Sequence, residues 1–404
     1  MSASTAAVKP RASQADADAA SSGAGGSLFA LSLCFVLSGF AALVYQTAWT
    51  RQFGLVFGTS ELAVATVLAA YMGGLALGAW ISVRLLPRVT RPVLAYAILE
   101  LGIAAGAVVL VPALVAGSQA LLAKFFGGQP APPSSEQVGL TLFHLAGAFV
   151  ALAIPTTLMG ATLPLLARHA VREREQIGRR IGLLYASNTL GAVAGALVTA
   201  FVLLPGLGLS RSIWVGAAVN VIVFLLAALV AQRARGAGPG ASGAGETDAP
   251  TSTPGFEWRA PPSPNWVLPL MLLSGAVSFL HEVLWTRMLS QVVGSSIYAF
   301  GVMLASFLGG IALGGAAGAL LARSRSVAVT ALAIASFAAG LWAAVAFLLL
   351  DGLVPQKAGL YANLAFGFLL LLPLTFAIGT TYPLAVRVLA DRAADAAPAS
   401  ARVY

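Results

Sequence analysis

Glu100 and Glu282 are the residues best placed to do chemistry, because each acid lies inside a long apolar run. A charge at helix-centre depth in hydrocarbon costs about 2.5 kcal/mol upward on insertion scales, so such acids bind ions, move protons or pair with another polar group. Glu282 stands five residues before Arg287 and beside His281, a spacing that permits an ion pair, direct or through water, near one helical face. The chemistry there would be that of a cation or proton site. A second reading puts the Trp-Thr-Arg segments, Trp49 with Arg51 and Trp285 with Arg287, at a membrane interface, where arginine snorkels and tryptophan anchors. Glu100 sits mid-helix in YAILELGIAAGA next to small residues. It can hold part of a polycation or pair structurally with an arginine of another helix. Asn188 falls between Tyr185 and Gly191 in an apolar segment, where an amide forms an interhelical hydrogen bond of roughly 0.6 to 2 kcal/mol.

The elements that position these residues are membrane helices. With 59% hydrophobic and 9% charged residues, and a mean hydropathy of +0.89, the protein has more apolar surface than one soluble core can hide. Runs of about 20 apolar residues recur along it, and in lipid each must be helical because its backbone has no other partner. The expected fold class is an all-α polytopic membrane protein. Ten helices are predicted near residues 28–50, 59–84, 92–116, 138–168, 181–204, 210–233, 265–288, 295–322, 327–350 and 359–388. Residues 1–26 read as a disordered tail and 27–233 as a first group of six helices. Residues 234–264, rich in Gly, Pro, Ala and Ser, read as a flexible linker, and 265–404 as a second group of four. Eighteen of the 23 Lys and Arg fall on one side of these helices, which predicts a cytoplasmic N-terminus, linker and C-terminus in a bacterial inner membrane. Basic loops beside anionic headgroups account for the net charge of +9 without nucleic acid. The single cysteine, Cys34, excludes an intramolecular disulfide and a cysteine-cluster metal site.

The sequence also repeats itself. Ser38–Trp80 and Ser274–Ala316 align without a gap at an offset of 236, with 16 identities in 43 positions that include Trp49/Trp285, Arg51/Arg287 and Gly74/Gly310. Internal repeats of this kind build many transporters, with the substrate path between them. Small residues four apart, such as Gly74/Gly78 and Gly310/Gly314, predict close helix contacts. Pro155 and Pro373 fall inside helices at similar places and predict either kinks beside a substrate path or kinks that serve packing. A second match, at offset 219, carries Gly160, Pro164, Arg168 and Tyr185 onto Gly379, Pro383, Arg387 and Tyr404. By that match the second group stops before its last two helices, so a truncated six-plus-six bundle is expected.

The stretches SGFAALVYQTAWTR, LAAYMGGLALG, ELGI, MGATLPLLAR and YASNTLGA resemble the membrane part of bacterial fused major-facilitator-like/spermidine synthases, over about Ser38 to Tyr404 with the linker excepted. The resemblance implies a spermidine-synthase-like domain after the helices, which transfers aminopropyl groups from decarboxylated S-adenosylmethionine. No stretch of residues 1–404 corresponds to that domain, so no catalytic residue and no cofactor is assigned. The family has an acid where Glu282 stands, whereas the first repeat here carries Gln46. Three functions follow: a module that moves or senses a polyamine or related organic cation, a membrane scaffold for an aminopropyltransferase domain absent from residues 1–404, or a transporter of an apolar or anionic solute. The expected partners are the lipid bilayer, a polyamine and that separate or missing domain.

Overall fold

The computed structural model describes residues 14–57, 61–126, 138–170, 177–236, 266–293, 297–353, 360–390 and 395–403. The protein is an all-α polytopic membrane protein, and among the described residues nine helical runs are long and apolar enough to cross a bilayer. Helix α1 (Gln14–Phe57) carries the first run from Leu28. It begins well before the predicted position, inside the segment read as a tail. Five alanines between Gln14 and Gly26 favour helix, and the apolar helix that follows supplies the nucleus they extend. Residues 1–13 and most of the predicted linker lie outside the described residues.

Helix α2 (Glu61–Leu85) ends in a 3-10 turn, Leu86–Arg88. Helix α3 (Pro92–Ala105) starts on a proline, whose missing N–H is no loss in a first turn. It runs through a π turn at Gly106–Leu110 into α4 (Val111–Phe126). Helix α5 (Val138–Ala170) continues past Pro155 and Pro164. Helix α6 (Ile177–Val198) leads through a second π turn, Thr199–Leu203, into α7 (Leu204–Gly236). The apolar run Arg180–Arg233 is 54 residues long, about 80 Å as one helix and far more than one crossing needs. It breaks at Gly208, at φ 75° and ψ 178°, which separates the two helices the sequence predicts there and reconciles nine runs with ten helices. Both legs lie along α1. Gly191 and Gly195 of α6 meet the backbone of Val36 and Phe40, and Gly216 of α7 meets the Tyr45 ring.

Four long helices follow, namely α8 (Val267–Val293), α9 (Ile297–Leu321), α10 (Arg325–Leu353) and α11 (Leu360–Leu389), then the short α12 (Ala396–Val403). The α2–α5 contact and the α9–α11 contact use the same positions. Gly74 meets Thr156, Gly78 meets Thr157 and Ala161, and Gly160 meets the Leu75 backbone. Gly310 meets Thr375, Gly314 meets Phe376 and Thr380, and Gly379 meets Ile311. A β-carbon at any of these glycines would overlap its neighbour, so the helices approach as closely as their backbones permit. Helix α6 joins the two groups, with Gly182 against Ala319 of α9 and Tyr185 stacked on Tyr382 of α11 at 4.5 Å. At the helix ends the Arg168 guanidinium donates to the Leu86 carbonyl, and Arg84 lies 3.5 Å over the Trp80 ring.

Candidate functional site

Glu100 is wholly buried where α1, α3 and α7 meet. The Ser38 hydroxyl of α1 donates to one carboxyl oxygen at 2.6 Å, and the Asn220 amide of α7 donates to the other. Asn220 in turn accepts from the Tyr45 hydroxyl at 2.8 Å. Tyr96, one turn before Glu100 on α3, donates its hydroxyl to the Cys34 carbonyl of α1 at 3.3 Å. Each oxygen of the acid thus holds a neutral donor, and none of these donors is the arginine that the sequence allowed as a partner. Ser38, Tyr45, Tyr96 and Asn220 escape the sequence reading. Asn220 had a visible signal, as an amide inside the apolar run AAVNVIVF.

Glu282 is 6% exposed on α8, and its carboxyl has no hydrogen-bond or ion-pair partner among the described residues. The same position in α1 holds Gln46, 2% exposed. His281 is half-buried, and its Nδ1 lies 2.8 Å from the Val277 carbonyl one turn back, so the ring leans along its own helix. Trp285 is 7% exposed and packs in a cluster with Leu43, Met303, Phe307 and Leu371. The predicted partner of Glu282, Arg287, has a side chain outside the described residues.

Arg51 is exposed, whereas Trp49 two residues earlier is fully buried, stacked on Tyr45 at 5.3 Å. The two residues of the Trp-Thr-Arg segment thus differ, Trp49 packing inside the helices and Arg51 lying on their surface. The Trp49 indole N–H is buried with no acceptor among the described residues. Asn188 faces α1, its backbone carbonyl and Oδ1 filling the space beside Gly39. The structure therefore distributes the predicted residues. Glu100 lies in one polar network, Glu282 with His281 and Trp285 on another helix, and Asn188 in a helix contact. No group of three or more metal-ligating side chains occurs among the described residues. A groove of about 540 Å³ runs along α6, α9 and α11, walled by Leu183, Leu190, Val302 and Phe368 with Ser187 and Ser306, and none of the eight predicted residues lines it. The Ser306 hydroxyl is turned back onto the Val302 carbonyl at 2.6 Å, which leaves walls suited to hydrocarbon.

No family model matches the sequence. The protein is 33% identical over 196 residues to polyamine aminopropyltransferases of Mycobacterium tuberculosis, strains CDC 1551 and H37Rv, and of Mycobacterium bovis. The match covers 46% of this sequence and 32% of each relative, so it spans about a third of the length of the curated relatives. Together with the helices, this likeness defines a polytopic membrane protein weakly similar to polyamine-related proteins.

Proposed function

We propose that the protein is the membrane module of a transporter-like protein of the spermidine-synthase-fused kind, in a bacterial inner membrane with both termini and the linker cytoplasmic, and that it moves or senses polyamines or related organic cations. The observation that carries this reading is Glu282. A buried carboxyl with no described partner costs free energy in a membrane helix unless a cation or a proton compensates it. The likeness to polyamine aminopropyltransferases supports a polyamine as that cation, and the basic-residue count supports the orientation.

Radiolabelled spermidine binding to the protein in nanodiscs tests the proposal. Saturable binding that falls at least tenfold in Glu282→Gln, with the variant as well folded as the parent, is the expected result. Absence of saturable binding, or equal binding by both proteins, overturns it. The Glu100 network favours a second reading, in which the helices anchor an aminopropyltransferase domain. An acid whose oxygens are both held by neutral donors from two other helices is well made for fixing helices. That reading predicts no spermidine binding and full membrane insertion of both Glu→Gln variants.

A further inference from the structure

The polar network around Glu100 contains hydroxyls that can reverse their hydrogen bonds. Guanidinium, ammonium and backbone N–H groups only donate, so an acid held by them alone is held ionised. The partners of Glu100 are of another kind. The Ser38 hydroxyl lies 2.6 Å from one carboxyl oxygen, and the Asn220 amide donates to the other. The Tyr96 hydroxyl is within hydrogen-bonding reach of both Ser38 and Glu100, and it donates to the Cys34 carbonyl at 3.3 Å. A hydroxyl carries one proton and two lone pairs, so it donates to a neighbour or accepts from it.

The network therefore satisfies the acid in two charge states. In the ionised state Ser38 and Asn220 both donate to the carboxylate, and Asn220 accepts from the Tyr45 hydroxyl behind it. In the neutral state a proton sits on the oxygen that faces Ser38. The carboxyl then donates to the Ser38 oxygen, Ser38 donates on to the Tyr96 oxygen, and Tyr96 keeps the Cys34 carbonyl as its acceptor. The second carboxyl oxygen still accepts from Asn220. One proton is added, one hydroxyl turns, and each of these polar groups keeps a partner.

The groups facing the site add no fixed charge to it. Helix α1 presents the Cys34 thiol and Tyr45, α3 presents Tyr96, and α7 presents Asn220. Tyr71 of α2 faces Tyr45 and donates to the Ala42 carbonyl at 3.2 Å. Helix α5 brings Leu158 against Gly102 and Pro155 against Gly106 on α3. Among the described residues no arginine, lysine or second acid reaches the carboxyl. A charge at this depth costs about 2.5 kcal/mol or more, and proton uptake removes that cost without breaking the network. Glu282 has no hydroxyl or amide beside it among the described residues, so the same arrangement is not built around it.

We infer that Glu100 is a reversible proton-binding site, which takes its proton on the oxygen facing Ser38 while the Ser38 hydroxyl turns toward Tyr96. The ligand is a single proton, held between α1, α3 and α7. This inference is independent of polyamine binding at Glu282.

Infrared difference spectroscopy of the protein in lipid nanodiscs, titrated through the pH range in which circular dichroism shows it folded, tests it. The expected result is a C=O stretching band of a neutral carboxylic acid that grows as pH falls and fades as pH rises. That band is lost in Glu100→Gln, persists in Glu282→Gln, and changes frequency in Ser38→Ala, where the carboxyl O–H loses its acceptor. A spectrum with no titrating carboxyl band, or a band that Glu100→Gln leaves unchanged, overturns the proposal. If Glu100→Gln does not fold, Ser38→Ala decides, and a band that this change leaves unmoved overturns the proposal equally. No spermidine enters the measurement, so its failure is distinct from failure of the binding experiment at Glu282.

Discussion

Two buried acids in one molecule have opposite surroundings. Glu100 is held by hydroxyl and amide donors from α1 and α7, so it ties three helices together. Glu282 is nearly as deeply buried on α8, with no described group to meet its charge. The difference lies in what each helix packs against. Both α6 and α7 cover α1, which makes the surroundings of Glu100 complete, whereas the span of α8 is only 11% buried against 50% for that of α1. Depth alone therefore does not say whether an intramembrane acid binds a ligand. The donors on neighbouring helices do.

The largest expected effect follows at once. Glu100→Ala strands the Asn220 amide and the Ser38 hydroxyl and opens a cavity among three helices, a loss of about 3 kcal/mol or more. Unfolding of the detergent-solubilised protein followed by circular dichroism measures it. Glu282→Gln removes a charge that no described group compensates and strands no described partner, so stability stays within about 1 kcal/mol of the parent or rises. Equal destabilisation by the two changes would break the comparison and assign Glu282 to structure.

The next effect sharpens the comparison by asking where the two groups of helices behave alike. Gly74→Val and Gly310→Val each drive a side chain into a threonine of the facing helix, Thr156 in one case and Thr375 in the other. Overpacking of this kind costs about 1 to 3 kcal/mol. Because the contacts use the same positions, the two losses should agree to within about 0.5 kcal/mol in the same unfolding measurement, as expected for independent sites of equal chemistry. A smaller loss is expected for Tyr45→Phe, which frees one oxygen of Asn220 and leaves the stacking on Trp49 intact. One interhelical hydrogen bond in a membrane protein is worth about 0.6 kcal/mol on average.

The sequence makes the helices of this protein legible and much of its polar chemistry illegible, for physical reasons that particular residues show. Composition and run length predict every long helix among the described residues, and the Pro-Gly-Leu-Gly stretch announces the break at Gly208. The early start of α1 is missed because Ala, Ser and Gly read equally as a tail, while attachment to a formed helix decides the outcome. Glycine spacing predicts the α2–α5 and α9–α11 contacts, since close approach depends on residue size alone. Glu100 stands out in its run, but its partner Asn220 lies 120 positions away, and Tyr45 lies 175 positions from Asn220. No spacing rule joins residues on separate helices. Trp49 shows the converse, because residue type points to an interface and tertiary packing buries the ring on Tyr45.

The smallest effect bears on the bare side of the comparison. Ser38 and Ser336 are both serines of membrane helices, yet Ser38 donates to Glu100 while the Ser336 hydroxyl is buried with no partner among the described residues. Removing a hydroxyl that makes a good hydrogen bond leaves its acceptor short, so Ser38→Ala costs roughly 1 kcal/mol or somewhat more. Removing one that makes none relieves its desolvation, so Ser336→Ala is neutral or stabilising by up to about 1 kcal/mol in the isolated polypeptide 1–404. Unfolding of the detergent-solubilised protein followed by circular dichroism measures both changes, and a loss for Ser336→Ala as large as that for Ser38→Ala would show that the Ser336 hydroxyl has a partner as Ser38 does.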